Sequence, residues 1–271
     1  MSRVFDELRS VTTRGPQPAA EPALESPSMR ELYFSTRRTA RLLGLLFMVV
    51  AALGWVAAGY DLGELHVIWS EEPLAPAAVL AHDAAGERIA AVQIALALVL
   101  AAVFVPWLHQ ARANVRALGA RRMRFRREWT WLGFVIPVLN AYRPYQVVSE
   151  VWRTSDPASV DPLGWQRLQA SRLVLAWWSG LAGWVALASC AELLLQLAPG
   201  VAHVQIAHAL ALAGDVSAAV SASLGYFLVL RISALQDAKW ALCGGGEHPG
   251  PIIGSALPHC LIQQPVLEKG N

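Results

Sequence analysis

The chain has 271 residues, of which 55% are hydrophobic and 15% are charged, and its formal net charge is +2. This composition is too apolar for an ordinary soluble domain and indicates an integral membrane protein. The basic residues cluster beside apolar stretches and belong to no recognisable nucleic-acid-binding module. We therefore expect the lipid bilayer, and no nucleic acid, among the partners.

The first half of the chain contains two predicted membrane spans. Residues 1–38 are polar and form a predicted flexible tail on the cytoplasmic side. Residues 42–60 form an uncharged run preceded by arginines, which predicts the first transmembrane helix. The acidic stretch 61–87 reads as an external loop, and residues 89–108 are the second span.

The second half contains two further spans, at residues 173–197 and 204–230. They complete a predicted four-helix membrane domain over residues 39–240, and the Gly/Pro-rich residues 241–271 form a predicted disordered tail. The fold class expected is an all-α integral membrane protein.

The segment 128–152 differs from the spans because prolines interrupt it. The apolar part, residues 129–142, is too short to cross a bilayer core at about 1.5 Å per residue. Pro137 removes a backbone donor, and Pro144 disfavours helix at the preceding residue. We predict a re-entrant or interfacial segment on the cytoplasmic side, with a helix restarting at Pro144.

The placement of basic residues favours four spans over five. With four spans, every Lys and Arg except Arg88 lies on the cytoplasmic side or at its edge. A fifth span at residues 129–148 would put Arg143 in the hydrocarbon, which costs about 2.5–3.5 kcal/mol. Both termini are therefore predicted to be cytoplasmic.

Residues 107–152 contain short motifs that carry a family resemblance. These are R-A-N-x-x-A-L-G, P-x-L-N-x-x-R-P-Y-Q and E-x-W-R-x-S, with Trp177-Trp178 and a closing R-I-S-A-L-Q further on. The motif residues are Arg112, Ala113, Asn114, Ala117, Leu118, Gly119, Pro137, Leu139, Asn140, Arg143, Pro144, Tyr145, Gln146, Glu150, Trp152, Arg153, Ser155 and Arg231 to Gln236. The chain resembles the bacterial membrane family catalogued as domain of unknown function 4328, over roughly residues 40–240. This resemblance implies a multi-pass protein of the bacterial cytoplasmic membrane, and it implies no activity.

The proline-broken segment carries a candidate polar site. Its residues are Asn114, Asn140, Arg143, Gln146 and Glu150. In one interpretation they form a cytoplasm-facing pocket in which Arg143 binds an anionic ligand or lipid phosphate. In the other they satisfy backbone groups freed at the prolines.

An arginine run precedes this segment. Its members are Arg121, Arg122, Arg124, Arg126 and Arg127. The run either binds anionic lipid headgroups or acts only as a topology signal.

Three ionisable residues occupy the last two spans. The turn at Pro199-Gly200 predicts an antiparallel hairpin in which facing residue numbers sum to roughly 401, so Glu192 faces His208. Asp215 lies on much the same helix face as His208, near the midplane. Glu192, His208 and Asp215 form a candidate proton or cation path, or else Asp215 is simply protonated and hydrogen-bonded to a neighbouring helix.

No catalytic, cofactor-binding or metal-binding motif accompanies these features. The leading functional hypothesis is a non-enzymatic membrane module that scaffolds or regulates a partner. Its partner would be another membrane protein or a second copy of the chain. Small residues recur at four-residue spacing on the third span, at Ala176, Ser179, Gly180 and Gly183. Such residues suit close helix packing, either within the bundle or between protomers. The alternative is a small transporter or a proton- or cation-coupled carrier.

Overall fold

A computed structural model describes residues 33–70, 76–125, 128–130, 142–159, 162–197 and 200–243. Its elements in chain order are helices α1 (Arg37–Ser70), α2 (Pro76–Ala117) and α3 (Arg143–Ser155), a 3-10 turn (Gly164–Arg167), and helices α4 (Arg172–Leu197) and α5 (Val201–Leu242). These parts of the chain are helical and contain no strand. Four of the helices, α1, α2, α4 and α5, are long and apolar enough to cross a membrane.

The long helices extend beyond the spans that hydropathy alone suggests. Helix α1 continues past Tyr60 to Ser70, and α2 already begins at Pro76. Most of the stretch assigned to an external loop is therefore helix. The predicted flexible tail, residues 1–38, includes Tyr33. Tyr33 is instead buried, stacks on Trp240 and donates a hydrogen bond to Asp237.

Helix α5 is the central element, and α1 and α4 pack along it. Its glycines and serines allow this close approach. Ser217 Oγ donates to the carbonyl of Gly180 (2.9 Å), and Ser221 Oγ donates to that of Trp177 (2.8 Å). Gly183 also lies against Ser217, so the small residues of α4 serve packing within the bundle.

The contacts between α4 and α5 confirm the predicted hairpin register. Gly183 lies against Ser217, and Gly214 lies against Leu187. Both pairs fit an antiparallel hairpin that turns at Gly200.

The hydrophobic core is concentrated at one end of the bundle, which we call the closed end. There the start of α1, the end of α2, all of α3 and the end of α5 meet around Leu43, Trp107, Val148 and Ile232. Toward Ser70 and Gly200, which we call the open end, no described side chain of α2 before Phe104 is buried. Within the described residues the backbones of α2 and α4 do not come close, which leaves a gap between them, and the rings of Phe104 and Trp177 meet across it with their centres 5.6 Å apart.

Helix α3 lies at the closed end and starts one residue before the predicted restart at Pro144, so Arg143 is helical although the following proline disfavours this. It begins at Arg143 with Pro144 in its first turn, where a missing N–H costs no helical hydrogen bond. Residues 131–141 fall outside the described part of the chain, so the re-entrant or interfacial path stays a prediction. Helix α2 ends just before Gly119, whose positive φ of 85° suits a residue without a Cβ.

Candidate functional site

The residues of the predicted polar site do not form one pocket. Asn114 belongs to the bundle interior, Glu150 to an ion pair, and Arg143 with Gln146 to an aromatic cluster. Asn140 lies outside the described residues.

Asn114 is fully buried and all its polar atoms have partners. Its amide donates to the Phe34 carbonyl (2.7 Å) and to Gln236 Oε1 (3.1 Å), while its Oδ1 accepts from the Phe34 N–H (3.2 Å). Gln236 in turn donates to the Ala111 carbonyl (2.8 Å) and to Ser155 Oγ (3.1 Å). A buried network satisfied in this way fixes three helices and the chain before α1 in one arrangement.

Lys239, three residues after Gln236 on α5, is also buried. Its ammonium donates to the Thr154 carbonyl (2.9 Å) and to the carbonyl and hydroxyl of Ser159 (2.8 and 2.7 Å). Because Thr154 is in the last turn of α3, the positive charge lies at the negative end of that helix dipole. The lysine thus fixes the end of α3 onto α5.

Glu150 lies opposite the buried guanidinium of Arg112, with an N···O distance of 3.8 Å. Its Oε1 accepts from the Arg124 backbone N–H at 2.5 Å, and Arg112 also donates to the Phe125 carbonyl. Burial raises the pKa of Glu150, while Arg112 and the backbone N–H groups of Arg124 and Phe125 act in the opposite direction. Glu150 Oε1 is therefore bound internally, while Oε2 faces Arg112 without a hydrogen-bond partner among the described residues.

Arg143 lies in an aromatic cluster. Its guanidinium carbon lies 5.2 Å from the Phe125 ring centre, 4.9 Å from that of Trp129 and 5.2 Å from that of Tyr142. Its Nη1 donates to Gln146 Oε1 (3.2 Å). A planar cation between aromatic faces supports the interpretation of Arg143 as a structural clamp.

The arginine run is solvent-accessible where it is described, and the guanidinium of Arg124 lies 5.4 Å from the centre of the Phe125 ring. Arg121, Arg122 and Arg124 are exposed, and Arg126 and Arg127 lie outside the described residues. Headgroup binding by this run stays a prediction.

The three ionisable residues of the last two spans have different surroundings. The Glu192 side chain is exposed and accepts a hydrogen bond from Gln196 Nε2 (2.7 Å). His208 is partly buried. Asp215 instead accepts from Gln93 Nε2 of α2 (2.9 Å) and faces the carboxyl group of Asp61 on α1.

Asp61 and Asp215, which we call the acid pair, form the most unusual arrangement in the bundle. The two carboxyl groups interact side chain to side chain across the α1–α5 interface. Asp61 is only 8% exposed, and its Oδ2 has no hydrogen-bond partner within the part of the chain that the structure describes. A buried carboxyl oxygen without a donor is costly, which marks the acid pair as a candidate binding site.

Sequence reasoning did not find Asp61 because it ended the first span at Tyr60. A helical extension by one residue would have placed Asp61 on the face of Gly54, seven residues earlier. Gly54 packs against Ala219, so that face is the one that contacts α5. Gln93 was likewise missed, as a lone amide inside an apolar run.

The family model described as domain of unknown function (DUF4328) matches residues 70–234. The chain belongs to this family. No curated protein and no solved structure matches it. The motif residues Arg112, Asn114, Glu150, Ser155 and Gln236 all lie in the buried networks of the closed end, so much of the family pattern describes internal structure here.

Proposed function

We propose that this DUF4328 protein is a small, non-enzymatic membrane carrier that binds a proton or a monovalent cation at the acid pair. The single observation behind this proposal is the contact between Asp61 and Asp215, with one oxygen of Asp61 left without a donor. Of the earlier candidate path, the proposal keeps Asp215 and replaces Glu192 and His208 with Asp61 and Gln93.

The charge balance of the acid pair explains why it would bind a cation. Two carboxylates side by side in a low-dielectric interior cannot both stay ionised without a compensating positive charge. A shared proton or a bound cation supplies that charge, and its release is costly until a replacement arrives. Such a site exchanges one positive charge for another, as a coupled carrier requires.

The position of the acid pair also suits exchange with one side of the membrane. Asp215 is about 24 Å along α5 from Arg231, at 1.5 Å per residue. With Arg231 at the edge of a hydrocarbon core about 30 Å thick, Asp215 is expected in the half farther from the closed end, and not near the midplane as the hairpin register suggests.

The test is ion flux in proteoliposomes. Purified wild-type protein is expected to carry protons, followed with an entrapped pH dye, or sodium, followed with a radioactive tracer. Asp61→Asn and Asp215→Asn, which keep the shape of each side chain, are each expected to reduce flux at least tenfold.

Glu192→Gln is the matched control, because Glu192 is an exposed acid of the same helix hairpin that pairs only with Gln196 among the contacts described above. This control is expected to retain wild-type flux. Absence of flux in the wild type would overturn the carrier proposal, and flux that survives both aspartate substitutions would remove the acid pair from it.

The second candidate function is a module that scaffolds or regulates a membrane partner. The fully hydrogen-bonded interior around Asn114 and Gln236 supports it, since a rigid closed end suits a structural role. Purification from native membranes should then recover a partner in fixed stoichiometry, and repeated recovery of the chain alone would contradict this function.

A further inference from the structure

A cavity of about 520 Å³ lies between α1, α2, α4 and α5. It occupies the gap between α2 and α4, and its volume is in the range of small-molecule sites. Five aromatic side chains contribute to its mainly apolar wall: Phe47, Phe104, Trp177, Trp178 and Trp184. A ligand of this cavity must therefore have a largely apolar body.

The acid pair adjoins this cavity. Gln93 lines the cavity and also donates its amide to Asp215 at 2.9 Å. Ala218, one turn from Asp215 on α5, lines the cavity as well, and so does Gly54, two turns from Asp61 on α1. Gln93 is thus the side chain that separates the apolar space from the carboxyl groups.

We infer that the cavity and the acid pair together bind a lipophilic cation, which would be the substrate class of the proposed carrier. The inference rests on the proposed function. The apolar body of such a molecule fits among the aromatic rings, whose faces attract positive charge. Its charged group lies toward Gln93 and supplies the positive charge that two carboxyl groups in contact require.

The charge of the site decides between this ligand and a lipid acyl chain. An acyl chain fills apolar space equally well but brings no positive charge to Asp61 and Asp215. A lipid anion is disfavoured, because its charge would add to that of the carboxyl groups.

The probe for this inference is tetraphenylphosphonium, with neutral triphenylphosphine oxide as the uncharged comparison. Binding to the purified full chain in detergent is measured by equilibrium dialysis. We expect saturable binding of one tetraphenylphosphonium per chain and at least tenfold weaker binding of the neutral compound. The double variant Asp61→Asn with Asp215→Asn is expected to weaken tetraphenylphosphonium binding at least tenfold, while Glu192→Gln leaves it unchanged.

A second variant keeps the test decisive even when the double variant fails to fold. Ala97→Phe puts a ring into the cavity from α2 and leaves the acid pair intact, and it too should weaken binding at least tenfold. Equal binding of the neutral compound, or retained binding in the double variant, would overturn the inference and identify the cavity as a site for any apolar molecule.

The two proposals fail separately. Ion flux without tetraphenylphosphonium binding overturns the inference and leaves the carrier proposal standing. Specific binding without ion flux overturns the carrier proposal and retains the binding site.

Discussion

The buried polar side chains fall into two kinds. Asn114, Gln236 and Lys239 have their hydrogen-bonding groups satisfied, and they fix the packing of the closed end. Asp61 Oδ2 has no donor, and within the described residues Glu150 Oε2, Arg112 Nε and Arg143 Nε also have no hydrogen-bond partner. Glu150 Oε2 faces the guanidinium of Arg112, whereas Asp61 faces a second carboxyl group, so a cationic ligand is expected at Asp61.

Arg143→Lys tests the aromatic clamp. A compact ammonium cannot stack its plane against Phe125, Trp129 and Tyr142, so we expect a loss of about 1 kcal/mol in stability. Thermal unfolding in detergent measures it, and Arg121→Lys, at an exposed arginine, is the control. Unchanged stability together with loss of co-purified anionic lipid would contradict the clamp and favour a headgroup site.

Glu150→Gln tests the electrostatics of the ion pair through pH. Burial raises the pKa of Glu150 above its ordinary value of 4.5, so the folded state binds its proton more tightly than the unfolded state does. The stability that this proton contributes is complete below pH 4.5 and is lost as pH rises through the folded-state pKa.

The wild type should therefore lose stability relative to Glu150→Gln as pH rises above 4.5, in unfolding experiments on both proteins. The nearby guanidinium groups of Arg112 and Arg153 oppose this rise in the pKa of Glu150 without reversing its direction. A difference between the two proteins that is constant or grows with pH would show that the charged form is the one the fold favours.

At the scale of elements, hydropathy finds the four long helices but not their ends. An apolar run records where lipid surrounds a helix, whereas the helix itself continues as long as backbone hydrogen bonds do. Residues 61–70 fall in the predicted external loop and residues 231–242 lie beyond the predicted last span, and both stretches are nevertheless helical. The acid pair could not be predicted for this reason, and because its members are brought together only by the packing of α1 on α5.

Gly225→Ala tests that packing. A Cβ at Gly225 would overlap the ring of Phe47, so the substitution should separate α1 from α5 and destabilise the protein by about 1–3 kcal/mol. Gly63→Ala is the matched control, since a Cβ there meets no atom within 4 Å and alanine favours helix. Thermal unfolding in detergent compares the two. Equal stability of both variants would mean that the α1–α5 contact tolerates an added methyl group.

At the scale of the whole molecule, the bundle is asymmetric along its length. The closed end is filled by side chains of all five helices, and the cavity extends from the edge of this core at Phe47, Phe104 and Trp177 toward Gln93, which contacts the acid pair. A ligand could therefore reach the acid pair from the gap between α2 and α4 without disturbing the closed end. The sequence indicates the polar content of the closed end through its motifs, but the gap follows only from how α2 is placed.

The orientation of this asymmetric bundle is the last prediction. Basic residues mark the closed end. They are Arg37, Arg38 and Arg41 at the start of α1, and Arg231 and Lys239 in the last part of α5. The positive-inside tendency then places the closed end and both termini in the cytoplasm, with Ser70 on the opposite side.

Single cysteines and a membrane-impermeant maleimide test this orientation in intact bacterial cells, after the three native cysteines are replaced by serine. Ser70→Cys and Ala158→Cys both place the thiol at an exposed position. We expect Ser70→Cys to be labelled, and Ala158→Cys to be labelled only after the cells are permeabilised. Labelling of Ala158→Cys in intact cells would require a fifth crossing between α2 and α3. That crossing would place Arg143 in the hydrocarbon at a cost of about 3 kcal/mol, and it would move the aromatic cluster away from the cytoplasm.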